Sequence, residues 1–309
     1  LYANGYLSLA LDSSTFNLNT AGQHGGVFRL DGVTLGSMRH VMHEGNQSDS
    51  SGAVLYVADS AGQWQIDSTQ FLRNVSAQST GVLHFNQQAD LIHIMESRID
   101  SNAGVAAVQV SALDSLYAFN TTFIGHNSDL PTGISYATTH APVMIRNSSA
   151  GSVAEINNAT FYNNEGDDAS AISMDGGTLR LSYVTVADGQ SDNGAINADG
   201  AELQTVASVF AGNTPADIVL TGTPSNSFVR YSLLNSWTTP GSGTFGTTGT
   251  IVDSVATFGL SALQWDAGKE AAYIAPEGDS RVKAINPSMP MAPSYQPADF
   301  LGTLRGTHF

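Results

Sequence analysis

Phe161-Tyr162-Asn163-Asn164-Glu165-Gly166-Asp167-Asp168-Ala169-Ser170-Ala171-Ile172-Ser173 is the stretch on which the fold turns. It carries two signals in order. An apolar residue is followed three positions later by Asn (Phe161, Asn164), and a small residue then opens a short apolar strand (Ala171-Ile172-Ser173). Both signals recur. The first returns as Phe71-Leu72-Arg73-Asn74, Ile99-Asp100-Ser101-Asn102 and Phe210-Ala211-Gly212-Asn213, with a looser copy in Phe123-Ile124-Gly125-His126-Asn127. The second returns at Gly26-Val27-Phe28, Gly52-Ala53-Val54-Leu55, Gly81-Val82-Leu83, Gly104-Val105-Ala106, Gly133-Ile134-Ser135 and Gly194-Ala195-Ile196. Most intervals are about 23 to 29 residues, a solenoid period. The interval from Gly133 to Ala171 is longer, and residues 140–152 read as an inserted loop or an extra short strand.

The repeats hold strands. Their runs are short, alternate apolar with polar, favour Val, Ile, Phe and Tyr, and end in Gly, Asn, Asp or Ser. Residues 179–186, Leu-Arg-Leu-Ser-Tyr-Val-Thr-Val, read as one alternating strand. A unit this small cannot bury one strand face alone, whereas stacked units make a continuous core. Asn at an equivalent turn position fits that stacking. Its amide bonds the backbone of its own turn and the next Asn in line, and Asn tolerates left-handed backbone angles. The predicted fold is therefore all-β, a right-handed parallel β-helix of about eight to ten coils, roughly 45 Å long at ~4.8 Å per coil.

Asn-anchored turns followed by Gly-Gly-Ala-Ile-like strands resemble the repeats of polymorphic outer-membrane proteins and related bacterial surface β-helix proteins. The best copies are residues 161–173 and 185–197, and the likeness spans roughly residues 20–220. The first Gly is often replaced, by Ser51, Thr80, Ala103 and Asn193. The resemblance implies a secreted or cell-surface protein of bacterial type. Coils are expected over 1–220, then final coils and an irregular Pro/Gly-rich cap over 221–309, all in one continuous domain. Residues 284–287 and 298–302 resemble the tail that closes many secreted bacterial β-helix proteins.

Composition narrows the partners. The chain has 309 residues, 27 acidic against 11 basic, a net charge of −16 and no Cys. Only two lysines occur, Lys269 and Lys283, and neutralising phosphates needs clustered cations, which argues against nucleic acid as a partner. No apolar run approaches the roughly 18 residues of a membrane span. Without thiols, disulfide frameworks and thiolate metal sites are excluded. The chain starts at Leu1, which suggests a processed or excised segment.

The carboxylates are the first place for chemistry, because many β-helix proteins cleave polysaccharides. Asp167 and Asp168 resemble the paired-Asp segment of polygalacturonase-like glycoside hydrolases, which implies action on a glycosidic bond and makes both catalytic candidates. The rest of that pattern departs. Only residues 140–147 stand where an Asn-Thr-Asp is expected, Asn193-Gly194 stands for a His-Gly, and no Arg-Ile-Lys follows nearby. Acidic turns, among them Asp188 and Asp192, are candidate ligands for Ca²⁺, although no calcium-loop motif is present. Tyr162 and Tyr183 are candidates to point outward and bind sugar. His40 with His43, and His84 with His93, offer metal pairs, for which ordinary strand histidines are the simpler reading. Five Asn-x-Ser/Thr sequons (Asn46, Asn74, Asn120, Asn147, Asn158) are what this composition yields by chance. The expectation is a non-catalytic extracellular module, adhesive or structural, that self-associates or meets extracellular polysaccharide. The alternative is a polysaccharide lyase or glycoside hydrolase.

Overall fold

The computed structural model describes residues 1–59, 62–77, 81–126, 140–222, 226–238, 246, 250–252, 264–266 and 271–273. Among them there is no helix, and the chain winds as a parallel β-solenoid of about eight turns. One coil shows the plan. Phe28–Arg39 lies in the longest wall (sheet I), Met42–Glu44 in a second wall (sheet II) and Gln47–Ser48 in a short third (sheet III). Sheet I gathers 15 strands and sheet II gathers 10. Later coils divide their share of sheet I in two. Ile172–Asp175 and Thr178–Ser182 flank Gly176 and Gly177, whose φ values of 74° and 75° make the bend.

Every coil stacks in phase. Phe28, Leu55, Leu83, Val108, Val143, Ile172, Ile196 and Ile218 occupy one register row of sheet I. Phe16, His43, Phe71, Ile99, Phe123, Phe161, Val186 and Phe210 occupy one row of sheet II. Side chains alternate between faces, so a one-residue slip would turn a whole row outward. Each fully buried Phe or Leu contributes roughly 1.5–3 kcal/mol, and repetition along the rows supplies the core.

The corners repeat too. Where the chain leaves sheet I for sheet II, the residue that ends the sheet I strand is followed by one in the left-handed region, with φ between 49° and 57°: Ser13, His40, Ser68, Glu96, Asn120, Asn158, Tyr183, Ala207 and Tyr231. This corrects the reading of residues 179–186 as a single strand. Thr178–Ser182 and Thr185–Ala187 belong to different sheets, with Tyr183 as the corner between them. The one-residue slip in phase from Leu179 and Leu181 to Val184 and Val186, all buried, is the trace that corner leaves in the sequence.

Of the two expectations for residues 140–152, a short strand is found, though as a regular member of the wall rather than an extra one. Val143–Ile145 is a regular strand of sheet I, paired on one side with Val108, Gln109 and Val110 and on the other with Ile172, Ser173 and Met174. The surplus of that repeat precedes His140, and Gly133-Ile134-Ser135 lies outside the described residues. Beyond residue 220, Phe228–Arg230, Leu233–Leu234, Trp237–Thr238 and Ile251–Val252 continue the ladders. The Pro-rich tail, its closing motifs, Lys269 and Lys283 lie outside the described residues.

Candidate functional site

The corner between sheets II and III carries a polar ladder. Asn19, Asn46, Asn74 and Asn102 stack one per coil. In the first three, the backbone N–H and Nδ2 donate to Oδ1 of the next, as from Asn46 to Asn74 at 3.0 and 2.9 Å. Nδ2 also donates inward, Asn74 to the His43 carbonyl at 3.0 Å and Asn102 to that of Phe71 at 2.8 Å. Buried amides with every bond made stabilise, whereas unmade ones cost about 1–3 kcal/mol each. His126 takes the next rung. Its N–H donates to Asn164 Oδ1 at 2.8 Å and its ring Nε2 meets the Gly104 carbonyl at 3.1 Å. The looser copy thus keeps the three-residue spacing through His126, and Asn127 lies outside the described residues. Gly189 and Asn213 continue the row.

The candidate catalytic pair lies just past this ladder. Asp168 N–H and Ala169 N–H both donate to the His140 carbonyl, at 3.1 and 2.8 Å, so this turn sits directly over His140 of the preceding coil. Gly166 permits the approach, because a Cβ there would stand 2.5 Å from that carbonyl oxygen. Asp168 Oδ2 then accepts from His140 Nδ1 at 2.6 Å and from Arg146 Nη2. Arg146 extends its other nitrogen to both oxygens of Asp175, at 2.9 and 3.0 Å. The four side chains are between 25% and 34% exposed. The His140 bond, helped by Arg146, holds the Asp168 carboxyl below its ordinary value despite partial burial.

Such a carboxylate stays ionised at neutral pH and is unsuited to donate a proton to a leaving group, the role for which glycosidases raise a carboxyl. Asp167 takes no part in the cluster, and its carbonyl accepts from Asp192 N–H at 3.1 Å. Asp168 is thus joined to His140, Arg146 and Asp175 rather than to its sequence neighbour. Local sequence pattern does not mark Arg146 or Asp175. Separations of 28 residues for His140–Asp168 and 29 for Arg146–Asp175, one coil each, are the signal that finds them.

The remaining candidates fall as follows. Tyr162 is half-buried and its hydroxyl bonds Asp188, with burial the main cause pushing the phenol up. Tyr183 is 6% exposed and packs on Ala207, which leaves little ring face for a sugar. Asp188 occupies a left-handed corner and Asp192 is exposed. Among the described residues no group of three or more His, Asp or Glu is placed to hold a metal ion. His40 is outside, 3.5 Å from Asp12, while His43 is inside the wall. His84 lies beside Tyr56 at one end of its strand and His93 beside Tyr117 towards the other. No described helix is long and apolar enough to cross a membrane.

No protein-family model, curated protein or solved structure matches the chain.

Proposed function

We propose that this chain is a non-catalytic module of a secreted or surface-displayed bacterial protein, adhesive or structural, as its resemblance to polymorphic outer-membrane repeats implies. The observation that carries the reading is the state of Asp168. The best-placed carboxylate for glycosidic chemistry is committed to His140 and Arg146 and lowered in pKa, so it serves as a tie between coils. What remains for function is surface. Sheet II presents in-register rows of partly exposed side chains, Met42, Gln70 and Arg98 in one and Glu44, Leu72, Asp100, Ile124 and Tyr162 in the other. Rows that mix polar, charged and apolar groups, repeated once per coil, suit repeated weak contacts with an extended polysaccharide or another rod.

Electron micrographs and sedimentation of the purified chain test the structural arm. Ordered filaments or sheets support self-assembly, and discrete monomers at high concentration remove it, leaving adhesion. One observation favours a second reading, a polysaccharide lyase or glycosidase: a His, an Arg and a carboxylate converge at Asp168 from neighbouring coils. Release of reducing or unsaturated ends from a polysaccharide panel, lost in Asp168→Asn, would establish that alternative.

A further inference from the structure

The five Asn-x-Ser/Thr sequons are equivalent in sequence and unequal in the fold. Asn46 and Asn74 are 0% exposed, and their amides are rungs of the ladder. Asn158 is 5% exposed and donates from Nδ2 to Oδ1 of half-buried Asn120 at 2.8 Å. The hydroxyl residue two positions on, which any sequon-reading transferase must contact, is buried in all four: Ser48, Ser76, Thr122 and Thr160 are 0%, 0%, 1% and 4% exposed. Asn147-Ser148-Ser149 is the exception. Asn147 and Ser149 are both exposed, Ala150 and Gly151 beside them are exposed too, and Asn147 sits in a turn at φ 50°. Its amide gives up only one surface hydrogen bond, to the Ser111 carbonyl at 3.2 Å.

We infer that Asn147 is the single N-linked sugar acceptor of the folded chain. In the transfer, Nδ2 attacks the anomeric carbon of a nucleotide-diphosphate sugar. One N–C bond forms, the anomeric C–O bond breaks, the nucleoside diphosphate leaves with the electron pair, and the amide proton passes to a base of the transferase. A sugar on Asn46 or Asn74 would replace an amide proton of the ladder and insert bulk into a packed wall, so modification there and folding exclude one another.

The test uses an N-glycosyltransferase that modifies five synthetic peptides spanning the sequons, supplied with its nucleotide sugar and the folded full chain. Intact-mass and peptide mapping should show one sugar per chain, at Asn147. Asn147→Gly, which keeps the left-handed turn, and Ser149→Ala should each reduce transfer at least tenfold while circular dichroism and Tm stay unchanged. Sugar at any of the other four sites of the folded chain, or none at Asn147 while its peptide is modified, overturns the inference. Neither result depends on whether the rod adheres, assembles or catalyses.

Discussion

His43 and Phe71 stack in neighbouring coils with ring centroids 5.2 Å apart and planes 6° from parallel, and Phe16 stacks on the other face of His43 at 5.2 Å and 12°. The imidazole thus fills a phenylalanine place in the interior row. Phe28 closes the site edge-on, so only apolar rings face it, and neither ring nitrogen has a hydrogen-bond partner. Two unmade bonds cost about 1–3 kcal/mol each. His43→Phe should therefore raise stability by roughly 1–3 kcal/mol at pH 7, read as a higher urea midpoint with unchanged slope. A lower midpoint would show that the imidazole makes an interaction the row does not display.

The same burial makes the rod acid-sensitive. Desolvation pushes His43 down to about 3, and His84 and His126 down to about 4, from an ordinary 6.5. Below pH 6.5 the unfolded chain takes protons that the folded chain refuses. Stability from these groups is therefore full above pH 6.5 and falls as pH drops towards 3–4. Equilibrium unfolding between pH 7.5 and 4 should show this loss, and His43→Phe should shrink it. An equally steep loss in that variant would place the sensitivity elsewhere.

Asn74 accepts two bonds from Asn46 and donates to Asn102 and His43. Asn74→Ala leaves several buried groups unpaired and should cost about 3–5 kcal/mol, while Asn147→Gly on the surface, which keeps the left-handed turn, should cost under about 1 kcal/mol. Chemical denaturation of the two variants decides it. Comparable losses would deny the ladder its role.

Gly36 opposes Trp64 in register, and a Cβ on Gly36 would stand 2.3–2.4 Å from three atoms of the indole ring. Gly36→Ala should destabilise by about 1–3 kcal/mol through overpacking. In a Trp64→Leu background the same change should be near neutral, a coupling that a double-mutant cycle reads directly. Additive effects would mean that the indole is not the obstacle.

Much of this was legible because a solenoid writes its fold locally. Phe161 with Asn164 states both the buried row and the ladder rung, and one coil's spacing repeats them. The pattern failed where a rung or row used another residue. His43 with Asn46 is the same motif as Phe71 with Asn74, hidden by a polar ring in an apolar place. His126 conceals a rung in the same way. Corners hid as well, since Tyr183 looks like a strand residue until the phase slip around it is counted. The Asp168 cluster was half legible. The carboxylate stood out, but Arg146 and Asp175 became its neighbours only through coil-to-coil stacking, which local patterning does not display. For Tyr183, alternation suggested an outward side chain and the left-handed corner buried it.

The central claim is that the rod engages its surroundings without cleaving them. Its most direct test is co-sedimentation of the purified chain with insoluble extracellular polysaccharides, with reducing and unsaturated ends assayed in the same tubes. The account predicts that the chain is retained with the polysaccharide, that no ends are released above the protein-free control, and that Asp168→Asn is retained equally. Release of ends by the native chain, abolished in Asp168→Asn, would contradict it.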